Sequence, residues 1–379
     1  MGQRGLPLSL NRRDHSAAMT AGARRRGAAE RSMKILITGG AGFIGSAVAR
    51  RAVAEGLAVV NVDALTHAGT LTNVADIEDN PRYAFEYADI CDGEAMAAIF
   101  ARHQPDWVLH MAEAQADRFA QGPLGFVRTN VSGTAVLLET VRAYVEELPD
   151  MRRERFKLVH VSSDQVFGTL GHDGLWDENS PLQPTSPYSA SKAGADMLVL
   201  AWGATFGLPV AVTYASSNYG PFQHPDKLIP TVILNGLVGR AIPVHGRGLQ
   251  VRDWLYVDDH AAALLEVMTR GKAGETYCIG GGDERTNLEV VGLVCKALDK
   301  VHPRTWAHAE LIKFVADRPG HDQRHAVSNA KITGSLPWKP LVDLESGILR
   351  TVRWYIDNEE WVRARAEHGQ RISPRRSAA

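Results

Sequence analysis

The sequence predicts an α/β protein with a doubly wound parallel sheet and a smaller mixed α/β lobe. Strand-like and helix-like segments alternate between residues 34 and 214, which is typical of parallel strands joined by helices. A glycine-rich turn connects the first strand to the first helix, as it does in sheets that bind dinucleotides. After residue 214 the alternation becomes irregular, and glycines and prolines multiply, which indicates the second lobe.

The glycine-rich turn lies between an apolar run at residues 35–37 and a helical pattern that ends near Gly56. Its glycines follow a Gly-x-x-Gly-x-x-Gly spacing, which permits a tight turn, a close approach to pyrophosphate and close packing of helix on strand. The phosphates would meet the free N–H groups at the positive end of the helix. The cofactor-binding residues predicted here are Gly39, Gly42, Phe43, Ile44 and Gly45.

A second strand, at residues 58–62, leads to Asp63, 18 residues after Gly45. A carboxylate at this place accepts hydrogen bonds from the adenosine ribose hydroxyls. It would repel the additional phosphate of NADP, so the predicted cofactor is NAD. A solvated loop aspartate is the alternative, but the order of strand, turn, helix, strand and acid favours the dinucleotide site.

Further strands and helices follow in alternation. The strands are predicted at Tyr83–Tyr87, Trp107–His110, 157–161 and 210–214. The helices are predicted from Asp92 to about His103, at 122–147 and at Pro187–Phe206. Because ligands of such sheets bind beyond the carboxyl ends of the strands, we expect Thr38, His110 and Ser162 to line one crevice.

The alternation divides the chain into two lobes and two terminal segments. We expect a Rossmann-type NAD-binding domain over residues 33–215, with a returning segment near 249–273. The second lobe takes residues 216–248 and 274–362, with helices at 227–237, 288–298 and 344–358. Residues 363–379 form a polar tail.

Composition excludes several classes of function. Among 379 residues the net charge is −1, which gives no indication of nucleic-acid binding, and no apolar run is long enough to span a bilayer. Three widely separated cysteines and 14 histidines show no metal-ligand spacing, so we expect no metal and a reducing, cytoplasmic location.

The first 32 residues contain seven arginines against one aspartate and one glutamate. A transit peptide and a nucleic-acid-binding arm are alternatives for such a segment. We interpret it as a disordered leader, as would follow if translation started upstream of Met33.

A second motif, Tyr188-Ser-Ala-Ser-Lys192, lies on the helix at Pro187–Phe206. Four residues apart on a helix, the tyrosine and the lysine share one face. A nearby ammonium stabilises phenolate and lowers the tyrosine pKa, so Tyr188 could take the proton of a hydroxyl whose carbon loses hydride. This spacing arises by chance in many proteins, but here it follows a dinucleotide motif and a strand that ends in serine.

Together these residues resemble the extended short-chain dehydrogenase/reductases, through the glycine trio, Asp63, Asp89-Ile90, Ser162-Ser163, Tyr188 and Lys192. Within that family the chain resembles the dTDP-glucose 4,6-dehydratases of the NAD-dependent epimerase/dehydratase branch. The runs that carry this resemblance are Thr129-Asn130, Asp164, Asn218-Tyr-Gly-Pro221, Lys227-Leu-Ile-Pro230, Arg252-Asp-Trp-Leu-Tyr-Val257 and Asp317-Arg-Pro-Gly-His-Asp322.

The resemblance implies a redox-neutral dehydration of a nucleotide-diphosphate sugar. NAD⁺ would take hydride from sugar C4 while Tyr188 takes the hydroxyl proton and Ser163 hydrogen-bonds the C4 oxygen. A base would remove the C5 proton, Asp164 would protonate the leaving C6 hydroxyl, and hydride would return to C6. Asp89 and Ile90 would complete the cofactor site, and Lys192 would serve both Tyr188 and NAD.

The resemblance also implies a substrate site and a partner. Arg252 and Arg318 would hold the diphosphate, since guanidinium meets phosphate in a bidentate way. The other implied substrate-binding residues are Asn218, Lys227, His245, Asn287 and His321. Helices 122–147 and 187–206 would form a four-helix bundle in a homodimer, although each helix could instead be covered by its own chain.

The chain departs from the family at three places. Gln165 stands where the family has the glutamate that acts as the C5 base, and an amide cannot accept that proton near pH 7. Without the neighbouring carboxylate, we expect Asp164 to have a lower pKa and to be a poorer acid. The loop after His110 is one residue shorter and lacks a histidine, and His245 replaces the aromatic residue expected against thymine.

Gln165 leaves three hypotheses open. In a 4,6-dehydratase, a bound water, Glu113 or the Tyr188 phenolate would take the C5 proton. A nucleotide-sugar C4 epimerase needs only Ser163, Tyr188 and Lys192, so Gln165 would be harmless. A cofactor-loaded binding protein with impaired turnover would tolerate it as well.

Overall fold

The structure, a computed structural model, describes residues 33–114, 122–317 and 322–372, with side chains described as far as residue 365. The predicted leader, Arg318, His321 and the last seven residues of the predicted tail lie outside the described residues. Within the described ranges, no helix is long and apolar enough to cross a membrane.

A parallel sheet of seven strands forms the centre of the described chain. The first six strands are β1 (Lys34–Thr38), β2 (Ala58–Asp63), β3 (Tyr83–Tyr87), β4 (Trp107–His110), β5 (Lys157–Ser163) and β6 (Val210–Ala215). Their order in the sheet is β6-β5-β4-β1-β2-β3, and all neighbours are parallel. The order reverses between β1 and β4, so the carboxyl ends of these two strands open the crevice in which doubly wound sheets bind ligands. The predicted fold class is confirmed.

Helices cover both faces of the sheet. They are α1 (Phe43–Ala54), α2 (Gly93–His103), α3 (Gly122–Phe126), α4 (Thr134–Glu146), α5 (Asp150–Arg153) and α6 (Pro187–Phe206). α1 packs in one apolar core with residues 257–268, whereas α2, α4 and α6 contribute to a second core on the other face. Strands buried on both sides explain why the strand sequences are nearly continuous apolar runs.

The helix predicted at 122–147 is interrupted by a π-helical segment, Val127–Gly133, between α3 and α4. Its wider turn carries the buried Asn130, which accepts a hydrogen bond from Ala114 N at 2.7 Å and donates to Ser191 Oγ at 2.9 Å. Asn130 therefore ties the loop after β4 to α6. The sequence predicted one continuous helix here, because π-helical segments are rare and their few residues carry no pattern of their own.

The remainder of the chain forms two small sheets and a helical core of its own. Its elements, in order, are β7 (Ser217–Tyr219), α7 (Leu228–Leu237), β8 (Ile242–His245), β9 (Val251–Tyr256), α8 (Val257–Arg270), β10 (Thr276–Ile279), β11 (Glu284–Thr286), α9 (Asn287–Val301), β12 (Ile312–Val315), β13 (Arg324–His325), α10 (Ala330–Ser335), α11 (Leu344–Asp357) and α12 (Glu359–Ile372). β9 pairs with β7, β11 and β13, and β8 pairs with β12. Residues of α7, α9 and α11 share a third apolar core.

One boundary predicted from the sequence is wrong in detail, and the predicted polar tail begins as a helix. β10 was assigned to the second lobe, but it pairs in parallel with β6 and completes the seven-stranded sheet. Its four residues are too few to show a pattern. The predicted polar tail is helical as far as Ile372, because Trp361 packs into the third core and Arg365 donates a hydrogen bond to the His67 carbonyl oxygen at 2.7 Å. The division into domains itself stays a prediction.

Candidate active site

The turn between β1 and α1 has the close backbone contacts that its glycines predict. Gly39 has a φ of +75°, and a Cβ on it would lie 2.8 Å from Ala112 N. A Cβ on Gly45 would overlap the carbonyl oxygen of Gly39. Gly42 precedes α1 without a side-chain cap, so the first-turn N–H groups of Phe43 and Ile44 face the position where an anion would bind.

Asp63, at the end of β2, closes this turn. Its carboxylate accepts hydrogen bonds from Ala41 N at 3.0 Å and from Leu65 N at 2.8 Å. Burial raises the pKa of Asp63, whereas the two backbone hydrogen bonds lower it. A Cβ on Gly69 would lie 2.6 Å from Asp63 Oδ1, so only glycine fits beside the carboxylate. Asp63 is therefore not a solvated loop residue.

Asp89 and Ile90 follow β3, the neighbour of β2. Asp89 Oδ1 accepts a hydrogen bond from Cys91 N at 2.9 Å, and Ile90 is buried against the backbone of Gly133. Three features here fit a dinucleotide. They are the free N–H groups at the start of α1, the buried carboxylate at the end of β2 and the apolar surface after β3. The cofactor-binding roles of these residues stay predictions.

Tyr188 and Lys192 lie on one face of α6, as their spacing predicts. Ser186 caps this helix and Pro187 begins it. Lys192 is buried and donates to the carbonyl oxygen of Val161 at 2.8 Å. A carboxylate joins the pair: Glu113 Oε2 accepts a hydrogen bond from Tyr188 Oη at 3.0 Å and lies 3.2 Å from Lys192 Nζ.

Beneath this pair lies a cluster of buried polar groups. Asp196 accepts a hydrogen bond from Ser162 Oγ at 2.8 Å and lies 3.1 Å from His160 Nε2. Burial raises the pKa of Asp196 to about 7, and Lys192 and Ser162 act in the opposite direction. Burial likewise keeps the pKa of His160 well below its ordinary value. This cluster holds α6 against β5.

The ends of β1, β4 and β5 lie next to one another, but their side chains do not line an open crevice. Thr38 Oγ1 is 2.8 Å from His110 Nδ1, and His110 Nε2 is 2.9 Å from Thr134 Oγ1. Thr38, His110 and Ser162 are all buried. Their hydroxyls and imidazole make hydrogen bonds within the protein, so these residues support the loops of the site and do not face a ligand.

Ser163, Asp164 and Gln165 form the turn that follows β5. Ser163 Oγ donates to Asp164 Oδ1 at 3.2 Å and accepts from Gln165 N at 3.3 Å. Asp164 is buried, and its Oδ2 has no hydrogen-bond partner among the described residues. Gln165 is half-buried beside it.

Burial raises the pKa of the Asp164 carboxyl above its ordinary value, and this effect outweighs the opposing influence of His325 and Arg252. Removal of water from around the carboxyl is therefore the largest influence on its charge. The expectation that a neighbouring glutamate would raise this pKa further stays a prediction.

Arg252 lies close enough to Asp164 to influence its charge. The Arg252 guanidinium donates to the carbonyl oxygens of Val251 at 2.7 Å and Asp322 at 2.9 Å, and burial lowers its pKa. His325 Nε2 lies 3.1 Å from Asp322 Oδ2. The segment 322–325 therefore brings a histidine and a held arginine to the catalytic acid predicted from the sequence.

The other predicted substrate residues belong to the elements after β6. The Asn218 amide bonds to Ser216 O at 2.9 Å and to His260 Nδ1 at 3.0 Å. Lys227 precedes α7, and Asn287 begins α9. His245 Nδ1 lies 3.1 Å from the carbonyl oxygen of Ala316, which holds its ring at the end of β8.

Sequence reasoning missed two residues of this region. Asp196 follows Lys192 by four positions, so the spacing Tyr188, Lys192, Asp196 on one helical face could have revealed it. No sequence pattern marks His325 as a site residue, because its approach to Asp164 depends on the pairing of β13 with β9.

Comparisons with known proteins identify the family of the chain. The family model for GDP-mannose 4,6 dehydratase matches residues 36–351. The chain is 53% identical to a dTDP-glucose 4,6-dehydratase of Shigella flexneri over 341 residues, which cover 87% of this chain and 94% of the relative.

Solved structures give the same result. The dTDP-glucose 4,6-dehydratase of Bacillus anthracis in complex with NAD superposes with a TM-score of 0.79 and 41% identity, covering 88% of this chain and 100% of the other. That of Streptomyces venezuelae, also with NAD bound, has a TM-score of 0.80 and 39% identity over the same shares. This chain therefore belongs to the dTDP-glucose 4,6-dehydratase family.

Proposed function

We propose that the protein is a hydro-lyase that converts dTDP-glucose to dTDP-4-keto-6-deoxyglucose with tightly bound NAD. The observation that carries the proposal is the convergence of Tyr188, Lys192 and Asp164 on the carboxyl edge of a sheet of this family. When bound, NAD would supply the acceptor of hydride from sugar C4 and its donor to C6. The nucleotide-sugar site, with Arg252 and Arg318 at the diphosphate, is proposed from the family resemblance.

Tyr188 is the proposed base for the C4 hydroxyl proton. Its phenol projects from the start of α6, where the Lys192 ammonium on the next turn favours the phenolate. The hydrogen bond from Lys192 to Val161 O keeps the ammonium beneath the phenol. Ser163 is proposed to donate a hydrogen bond to the same sugar oxygen.

Asp164 is the proposed acid for the C6 hydroxyl. An acid must hold its proton until the leaving group takes it, and burial raises the pKa of Asp164 accordingly. Its Oδ2 is buried without a partner among the described residues. A substrate hydroxyl would satisfy that oxygen, because a buried polar atom without a partner is costly.

Glu113 is the proposed base for the C5 proton, in place of the glutamate that Gln165 replaces. C5 adjoins C4, so its base must lie near the group that serves the C4 hydroxyl. The Glu113 carboxylate accepts a hydrogen bond from Tyr188 Oη at 3.0 Å. Unlike the amide of Gln165, a carboxylate can accept a proton.

The test is incubation of the purified protein with dTDP-glucose and NAD, followed by mass spectrometry. We expect a product lighter by one water, formed by the native protein and not by Tyr188→Phe. An unchanged mass with several nucleotide sugars would refute the dehydratase assignment.

Gln165 itself favours a second candidate, a nucleotide-sugar C4 epimerase. Epimerisation requires oxidation and return of hydride at C4 without proton removal at C5, so it would use only Ser163, Tyr188 and Lys192. The same incubation separates the two, since an epimerase changes the sugar configuration at constant mass. Tight binding of NAD and sugar nucleotide without either change would identify an impaired binding protein.

A homodimer and a cytoplasmic location complete the proposal. Leu124, Met197 and Phe206 are exposed on α3 and α6, with 79%, 50% and 53% of their surfaces accessible. Apolar residues on two adjacent helices suit a four-helix bundle with a second copy of the chain. Free cysteines at 91, 278 and 295 are in keeping with a reducing compartment.

A further inference from the structure

We propose that His67, His224 and Asp226 form a binding site for a divalent transition-metal ion, with zinc as the chemical type. This group is called the HHD cluster below. His67 lies in the loop after β2, and the other two residues lie just before α7. The spacing of 157 residues between the histidines explains why the sequence shows no metal pattern.

The ligand atoms of the HHD cluster lie close enough together to share one metal ion, with each histidine facing a different oxygen of Asp226. His67 Nε2 is 3.3 Å from Asp226 Oδ2, and His224 Nδ1 is 2.8 Å from Asp226 Oδ1. One ligand atom from each residue can be chosen so that all lie within 4.8 Å of one another. With metal–ligand bonds of about 2.0–2.1 Å, two ligands of a tetrahedral ion stand roughly 3.3 Å apart.

The chemistry of the HHD cluster suits a borderline metal. Two imidazoles and one carboxylate are a common protein ligand set for zinc, with water as the fourth ligand. The imidazole rings are only 4.3 Å apart between centroids, and both are turned to the same carboxylate. A carboxylate alone pairs well with only one of the two imidazoles. A dication between the three side chains would bind all of them at once.

Burial makes the HHD cluster more than a surface ion pair. His224 is 7% exposed, and His67 Nδ1 and His224 Nε2 are buried without hydrogen-bond partners among the described residues. These two nitrogens are not the ones that face Asp226, so the case for the ion rests on His67 Nε2 and His224 Nδ1, which do face the carboxylate, and on the burial of His224. A small cavity beside the cluster, lined by Phe43, Ala68 and Gln223 among others, gives access for a water ligand.

Two cations stand near the HHD cluster and weaken its attraction for a metal. Lys227 follows Asp226 directly, and Arg365 donates to the carbonyl oxygen of His67. The Arg365 contact also fixes the backbone of His67 and so positions its imidazole. We therefore expect weaker binding than at a site without these two cations. The bound ion would tie the loop after β2 to the segment before α7.

The test uses the full, untagged protein after treatment with a chelator. Titration with Co²⁺ should give the visible absorption of a tetrahedral ion, saturating at one equivalent and displaced by Zn²⁺. One equivalent of Zn²⁺ should also raise the midpoint of thermal unfolding. Absence of stoichiometric binding would overturn the proposal.

Matched variants locate the ion. His67→Gln and Asp226→Asn should each bind Co²⁺ at least tenfold more weakly, and Zn²⁺ should no longer raise their unfolding midpoint. His172→Ala, which removes an exposed histidine, should bind as the native protein does. Circular dichroism establishes that each variant is folded, and equal binding by a folded His67→Gln and the native protein would refute the site.

Discussion

At the scale of the residue, the exchange of a glutamate for Gln165 has the largest chemical consequence. If the protein is a dehydratase in which Glu113 removes the C5 proton, that base stands on a different loop from the acid Asp164. The acid and the base then lie in different surroundings, because Asp164 is buried whereas Glu113 is partly exposed beside Tyr188. Their roles can be separated by two substitutions.

Glu113→Gln should reduce dehydration of dTDP-glucose by about 10²–10⁴-fold, which is the usual contribution of a positioned general base. The affinity for the sugar nucleotide should change little, because the carboxylate lies at Tyr188 rather than at Arg252. Single-turnover mass spectrometry measures the loss. Glu94→Gln, at an exposed glutamate of α2, is the control. Unchanged turnover of Glu113→Gln would exclude Glu113 as the base.

Gln165→Glu should increase dehydration in the native chain and restore it in Glu113→Gln, because it supplies a carboxylate beside Asp164. An increase of tenfold or more would identify a weakened dehydratase. An epimerase or a binding protein would gain no dehydration from this change, so the measurement separates a weakened dehydratase from both of these alternatives.

Local sequence was sufficient for some of these residues. The glycines of the β1–α1 turn, Asp63 and Tyr188 with Lys192 lie within short stretches whose backbone geometry follows from the order of residues. The raised pKa of Asp164 was not predictable, because it depends on how deeply the turn after β5 is buried. The contact of Glu113 with Tyr188 joins two residues that are 75 positions apart in the sequence, so no local pattern predicts it.

At the scale of the element, α6 depends on a buried acid. Asp196 holds the helix to Ser162 and faces His160, Lys192 and Tyr214. Its pKa of about 7 lies above that of an aspartate in the unfolded chain, so the folded state retains a proton that the unfolded state releases. Its contribution to stability is complete below about pH 4 and is lost as the pH rises to about 7.

Asp196→Asn should therefore be less sensitive to pH than the native protein. Between pH 5 and pH 8 the native free energy of unfolding should fall relative to the variant, by up to about 1.4 kcal/mol per pH unit below the folded pKa. Chemical denaturation at the two pH values measures the difference. Asp79→Asn, at an exposed aspartate, should follow the native protein, and parallel pH profiles for Asp196→Asn would contradict the prediction.

The elements themselves were largely predictable. β3, β4 and α6 have the predicted bounds, because apolar runs between turn residues and a Ser-Pro helix start are local signals. The π-helical segment and β10 were not predictable. The first needs the contacts of Asn130, and the second is defined only by its pairing with β6.

At the scale of the whole molecule, the exposed apolar residues of α3 and α6 lead to a prediction about assembly. Met197→Glu should convert a dimer to a monomer, because a charge buried in an apolar interface without a partner is strongly unfavourable. Light scattering coupled to size exclusion measures the mass. Met151→Glu, at a methionine with 76% of its surface exposed on α5, should leave the mass unchanged. A monomeric native protein would refute the proposed bundle.

The hydrogen bond from Arg365 to the carbonyl oxygen of His67 spans 298 residues. The loop that follows Asp63 is therefore fixed by a helix that lies far from it along the chain. Chains fold from the N-terminus during synthesis, so the central strands can pair while this loop still awaits its contact with α12. A chain truncated before α12 would carry the glycine turn but lack this restraint on its neighbouring loop.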